Sequence, residues 1–458
     1  MTPSQFGLTG PLSSSGAMLE VFSDRRCVQC MLDVEAALAR AQALHGVIPE
    51  SAVAPIVAGC ESARIDFPAL ASAAAAAGNL AIPLVAQLTD VVAAIDADAA
   101  RYVHWGATSQ DIIDTGLLLQ LREAFDLIEP ELATLAGALA ALAANHRDSP
   151  MAARTWMQQA LPTTLGLKAA GWLDAIGRHQ DRLRELRARL FALQFGGAAG
   201  TLASLGAAAP AVAASLAGEL GLDLPDAPWH AQRDRVAEAA TVLGMLVGSL
   251  GKMARDISLL MQTEVGEAAE PAAPGRGGSS AMPHKRNPVG CAVALSAAVR
   301  VPGLVAAMLA GMVQEHERAL GGWQAEWDTL PHIVLLAAGS LRQMRQAAEG
   351  LHVDPSAMRA NLDITRGQLM AEALTLALGA GMGRKAAHHL VGQACREASA
   401  QGRHLREVLA EKPEVTALLN ADQLERLFDP LGYTGQAAHF VERVLRTHYT
   451  RQAGPAQE

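Results

Sequence analysis

Between residues 270 and 288 the chain reads Glu-Pro-Ala-Ala-Pro-Gly-Arg-Gly-Gly-Ser-Ser-Ala-Met-Pro-His-Lys-Arg-Asn-Pro. Two hydroxyls, Ser279 and Ser280, lie close to a cation, Lys285, and an amide donor, Asn287, with Gly277 and Gly278 just before them. The glycines allow a backbone to approach a ligand closely. Hydroxyl, ammonium and amide donors together suit an anionic, carboxylate-bearing ligand. No strand pattern precedes the stretch and no GK[ST] follows, so it is not a phosphate-binding Walker loop. A long stretch rich in Gly and Pro between periodic segments is either functional or a flexible hinge with incidental serines.

The flanking sequence must position those groups, and its pattern is helical. Leu121, Phe125, Ile128, Leu132, Leu135, Leu139 and Leu142 alternate four and three apart, the spacing of one helix face. Trp172, Ile176, His179, Leu183, Leu186, Leu190 and Leu193 form a second such seam. Ala239, Leu243, Leu246, Leu250, Met253, Ile257 and Leu260 form a third. Helices of 30 or more residues run about 45 Å or longer and must pack as a bundle. Seams of this length exceed what one chain covers, so neighbouring subunits are expected to share them. His179 sits on a seam and reads as a core histidine.

Composition agrees. Half of the 458 residues are apolar and only 4% aromatic, a mixture that favours helices over sheets. The fold class expected is all-α, with an N-terminal helical domain over 1–105, a long-helix bundle over 106–350 and a smaller helical domain over 351–458. A net charge of -9 argues against a nucleic-acid partner. Five scattered cysteines exclude a disulfide framework and imply a reducing compartment. Cys27 and Cys30 read as thiols on a helix face rather than a metal or redox pair. The N-terminus has neither a basic nor an apolar signal region, and no run of 18 apolar residues escapes interruption by polar side chains. A cytoplasmic protein without a membrane span is expected.

Gly278-Ser279-Ser280-Ala-Met282-Pro-His-Lys285-Arg-Asn287-Pro288 resembles the signature loop of the fumarase/aspartase superfamily at each defined position. His104-Trp-Gly-Ala-Thr108-Ser109-Gln-Asp111 and Arg154-Thr155-Trp-Met-Gln-Gln159-Ala-Leu-Pro162 are similar to its other two active-site segments. Further stretches, including Trp229-His-Ala-Gln232-Arg-Asp-Arg235 and Gln314-Glu-His-Glu-Arg-Ala-Leu-Gly-Gly-Trp323, resemble the superfamily's muconate cycloisomerase branch. The resemblance implies cyclisation of 3-carboxy-cis,cis-muconate to 4-carboxymuconolactone, in protocatechuate breakdown, without cofactor or metal. The alternatives are a 3-sulfo substrate, elimination from a substituted succinate to give fumarate, or an inactive bundle with a structural role.

The same resemblance assigns residues. Ser279 delivers the proton, while Lys285 and Asn287 face the charge of an aci-carboxylate. His104, Thr108, Ser109, Arg154, Thr155, Gln159, Gln232, Ser280 and Met282 bind a tricarboxylate substrate, and His230, His284 and His316 are weaker candidates. A homotetramer is implied, each site drawing its three segments from three subunits. In one respect the chain departs from the pattern. The second segment usually carries a His as general acid, and here those positions are Trp156 and Gln159. A carboxylate leaving group, with pKa near 4, needs no protonation to depart, which suits lactone chemistry better than loss of an amine. Trp327 stands where nucleotide-cleaving members carry a phosphate-binding Arg, which argues against a nucleotide substrate.

Overall fold

A computed structural model of the chain describes residues 9–453. The expectation about an N-terminal signal concerns mainly residues 1–8 and lies outside the described residues. Helix dominates throughout, as expected. The elements that matter for the site are α1 (Asp24–Leu44), α2 (Ser109–Asn145), α3 (Leu165–Leu190), α4 (Asp234–Leu260), α5 (Val289–Ala310) and α6 (Gly322–Glu349). The 37 residues of α2 give it a length of about 55 Å.

The seams are buried as their spacing requires. Leu121, Phe125, Leu132, Leu135 and Leu139 on α2 are fully inaccessible, and so are Leu243, Leu250 and Ile257 on α4. The second seam needs one correction, because α3 ends at Leu190. Leu193 lies beyond it, outside any helix, its N–H donating to Asp223 O at 2.8 Å. His179 is a core histidine, 3% exposed and 2.8 Å from Ser249 Oγ. Cys27 and Cys30 lie one turn apart on α1, where burial pushes their thiols up to about 11 and about 12.

Four helices, Ser109–Asn145, Ala203–Leu220, Asp234–Leu260 and Val289–Ala310, are long and apolar enough to cross a membrane by length and composition alone, although none is an uninterrupted apolar run. Abundant Ala raises their mean hydropathy although charged side chains interrupt them. On α2 Asp111 and Asp114 are among those charges, and both are buried against polar partners.

The described residues fall into two compact units, each made of three stretches. One contains residues up to Leu132, His179–Gly251 and Val293–Arg342, and the other contains Ala133–Arg178, Lys252–Ala292 and the residues from Gln343 onward. The second unit holds two small antiparallel sheets, β1 (Pro150–Thr155) with β2 (Gln158–Thr164), and β3 (Ala268–Ala269) with β4 (His352–Val353). It also has its own apolar cluster, around Leu374, Leu378, Ala394, Leu405 and Leu409.

Candidate active site

The first segment is built into the N-terminus of α2. Thr108 precedes the helix, and its N–H donates to Asp111 Oδ2 at 3.0 Å. That is half of a capping box, and it places a carboxylate where the helix dipole favours one. Asp111 also accepts from the amides of Gly196 and Gly197, at 3.0 and 2.9 Å, and lies 2.6 Å from His230 Nε2. One turn on, Asp114 forms a two-pronged pair with Arg233, at 2.7 and 3.1 Å, and accepts from Trp323 Nε1 at 2.9 Å. Arg233 also holds Glu326 and stacks over Trp229. All three charged groups are at most 2% exposed.

On that frame sit the expected binding residues His104, Thr108 and Ser109, each partly exposed. Gln232 is exposed beside the buried His230 and Arg233. His104 Nδ1 lies 2.6 Å from Glu35 Oε1. Burial opposes the charged imidazolium, but Glu35 and then Asp111 outweigh it and hold the group above its usual range. Arg318 reaches the same segment, Nε donating to Gln110 Oε1 at 2.9 Å.

The second segment lies on a hairpin, β1 with β2, and not on one of the long helices. Pro150 and Pro162 break helical continuity, and Trp156 and Met157 form a two-residue turn with φ of +52° and +65°. Both φ values are positive, as a tight hairpin connection requires. Trp156, one of the two positions noted as departing from the family pattern, is 98% exposed. Arg154 is committed within the protein, its two terminal nitrogens 2.9 and 2.7 Å from the buried Glu267 carboxylate. Gln159 Nε2 donates to Asn361 O at 2.8 Å, and its buried Oε1 has no partner among the described residues. Asn361 in turn donates to Glu267 at 2.8 Å. Thr155 is exposed at the end of β1.

The signature loop runs from the end of β3 to the start of α5 and is tied at its base. Glu270, 3% exposed, accepts from the amides of Gly290 and Cys291 at 3.0 and 2.7 Å, so one carboxylate joins the loop's entry to its exit. Arg276 bonds the same carboxylate and the side chains of Gln343 and Gln346. Asn287 Nδ2 donates to the carbonyls of Gly277 and Gly278, at 3.1 and 3.3 Å. A side chain at 277 would place its Cβ 2.6 Å from Asn287 O, so the close approach that glycine allows is used within the loop itself. Ser279 Oγ accepts from the amides of Ala281 and Met282 at 3.3 and 3.1 Å. Two amide dipoles therefore point at the oxygen that would carry charge. Ser280, Met282, His284 and Lys285 are exposed, and so is His316, in a separate turn with φ +49°.

A family described as Lyase matches residues 13–303, and one described as Adenylosuccinate lyase C-terminus matches 367–444. The chain belongs to the fumarase/aspartase superfamily. Among its relatives there, the 3-carboxy-cis,cis-muconate cycloisomerase of Pseudomonas aeruginosa is 59% identical over 94% of either chain. The enzyme of the same name from Bradyrhizobium diazoefficiens is 54% identical over 96% of this chain and 97% of its own. The crystal structure of the 3-carboxy-cis,cis-muconate lactonizing enzyme from Pseudomonas putida superposes with a TM-score of 0.93 at 54% identity, covering 97% of this chain and 99% of that one.

Within this superfamily fold, groups tied to the segments that were not found from sequence include Glu35, Glu267, Glu270 and Arg318. Each acts through a partner far along the chain, except Glu270, whose partners Gly290 and Cys291 lie across the loop. No local periodicity marks such residues.

Proposed function

We propose that this protein is a cycloisomerase that converts 3-carboxy-cis,cis-muconate to 4-carboxymuconolactone in the protocatechuate branch of aromatic catabolism. The whole-length match to enzymes bearing that name carries the reading. A substrate carboxylate attacks the substrate's own double bond, forming the lactone C–O bond and pushing the electron pair onto a neighbouring carboxylate as an aci-carboxylate. Ser279 then gives its hydroxyl proton to the carbon beside that group. The serine alkoxide left behind is stabilised by the amides of Ala281 and Met282 and by the Lys285 cation, and it regains a proton from solvent as the tricarboxylate leaves as a dicarboxylate lactone. Asn287 shapes the loop through Gly277 and Gly278. The conversion is a net isomerisation, so its electron balance calls for no redox cofactor.

His104, Thr108, Ser109, Gln232, Ser280 and Met282 bind the substrate carboxylates and frame. Thr155 and Gln159 present the second segment, with Arg154 holding its hairpin to Glu267. We place the enzyme in the cytoplasm as a homotetramer with shared sites. Large apolar side chains open to solvent in one chain support the assembly: Val299 is 81% exposed, Val313 84% and Leu320 91%. The test is an ultraviolet assay of the purified protein with 3-carboxy-cis,cis-muconate. Loss of the conjugated diene absorbance with formation of lactone is expected. No turnover of that substrate, but turnover of a 3-sulfo analogue or growth of fumarate absorbance from a substituted succinate, would replace the reading.

A further inference from the structure

The turn that carries His104 is held from one face of α1. Glu35 and Gln42 stand seven positions apart on that helix, two turns along the same side, and are 2% and 1% exposed. Gln42 Nε2 donates to Trp105 O at 2.5 Å, while Glu35 Oε1 meets His104 Nδ1 at 2.6 Å. On either side of Trp105 the backbone turns left-handed, with φ of +58° at His104 and +73° at Gly106. A non-glycine residue in that region is held there by its surroundings at some conformational cost, and such strain gathers at functional sites. A carboxylate as buried as Glu35 is expensive without a charged or hydrogen-bonded partner. The imidazole supplies that partner. With Nδ1 facing Glu35, the ring nitrogen left for a ligand is Nε2, on a side chain that remains 19% exposed.

We propose that Glu35 is a positioning residue that keeps His104 as an imidazolium, with Nε2–H available to a substrate carboxylate. The inference rests on the reading that His104 binds substrate. A charged donor gives a carboxylate a hydrogen bond roughly twice as strong as a neutral one, so the state of His104 sets affinity at neutral pH and above. The charges acting on His104 come from two elements. Glu35 faces it from α1 and Asp111 from the first turn of α2. Asp111 is itself engaged by His230 and by the amides of Thr108, Gly196 and Gly197. Around Glu35 lies the buried thiol of Cys60, with Asp33 and Arg40 acting on the same thiol. In this arrangement Glu35 is the charge in hydrogen-bond contact with the ring.

The test uses the full-length enzyme as wild type, Glu35→Gln, Glu35→Asp and His104→Asn. KM and kcat for 3-carboxy-cis,cis-muconate are measured from pH 6 to 9. In parallel, NMR of ¹³C-labelled histidine follows the His104 resonance, assigned by its loss in His104→Asn. Glu35→Gln should move the His104 titration down by about one unit and raise KM about tenfold above neutrality, with a smaller change in kcat. Glu35→Asp, charged but shorter, should show a smaller shift of the same sign, and it serves alone if Glu35→Gln does not fold. A His104 titration that stays in place in both Glu35 variants overturns the pairing. A wild-type KM in His104→Asn overturns instead the assignment of His104 to substrate binding, whatever its titration does.

Discussion

Asp111 and Ser279 do similar things in different surroundings. Each is an oxygen-bearing side chain that accepts hydrogen bonds from backbone amides, three at Asp111 and two at Ser279. Asp111 is 1% exposed, flanked by buried charges whose positions are fixed by several partners each. Ser279 is partly exposed on a loop whose tip residues Ser280 to Arg286 all face solvent. The proposed binding wall is therefore organised by buried partners, whereas the proposed proton donor stands on a segment held at its base and across Asn287. Binding residues tolerate solvent. A serine that must give up a proton needs a site closed to water around it. If the proposed roles hold, affinity and chemistry rest on regions that differ in burial and in the number of fixed partners, and they should respond to mutation differently.

The largest separation is expected from Ser279→Ala. Turnover should fall about 10³-fold or more, while the denaturation midpoint moves by no more than a few tenths of a kcal/mol. Turnover near wild type would move proton delivery to another group. At the other region, Arg233→Met leaves Asp114 and Glu326 buried without their shared cation, and a loss of about 3–5 kcal/mol in chemical denaturation is expected. An unchanged midpoint would show that the buried cluster is not what holds the first segment. Lys285→Met should lower kcat about 10²-fold with a smaller effect on KM, since the extra charge exists chiefly in the transition state. A change confined to KM would put Lys285 with the binding wall. The smallest signal comes from mixing Ser279→Ala with Thr108→Ala protein under subunit exchange. Partial activity should return, because some hybrid sites would combine only intact segments. Confirmed exchange without activity would confine both regions to one subunit's site.

How much of this was legible in the sequence depends on the range of the interaction. The seam from Leu121 to Leu142 announced α2 because helical burial repeats every three to four residues. The loop at 270–288 announced itself by composition. The hairpin under Arg154 was missed, since long helices and a loop were the only carriers the pattern offered for the three segments and residues 150–164 fall between two seams. The pairs that set the site's electrostatics were out of reach. Glu35 and His104 are 69 residues apart, Arg233 and Asp114 119, and Arg154 and Glu267 113. A carboxylate on a helix looks the same in sequence whether its partner is solvent or a histidine on a distant turn.

Glu270 has a consequence for how such an enzyme can change. Its carboxylate grips two amides at the start of α5 while its own carbonyl accepts from Arg286 at 3.0 Å. The carboxylate's grip on the two amides staples entry to exit without any residue in between, and Arg286 and Arg276 reinforce it from within the loop. Residues 271–288 then form an exchangeable cassette, in which insertions or wholesale replacement alter the chemistry presented while the helices on both sides keep their register. A lineage could try new substrates there without first rebuilding its scaffold, and a protein engineer could transplant the loop along the same seam.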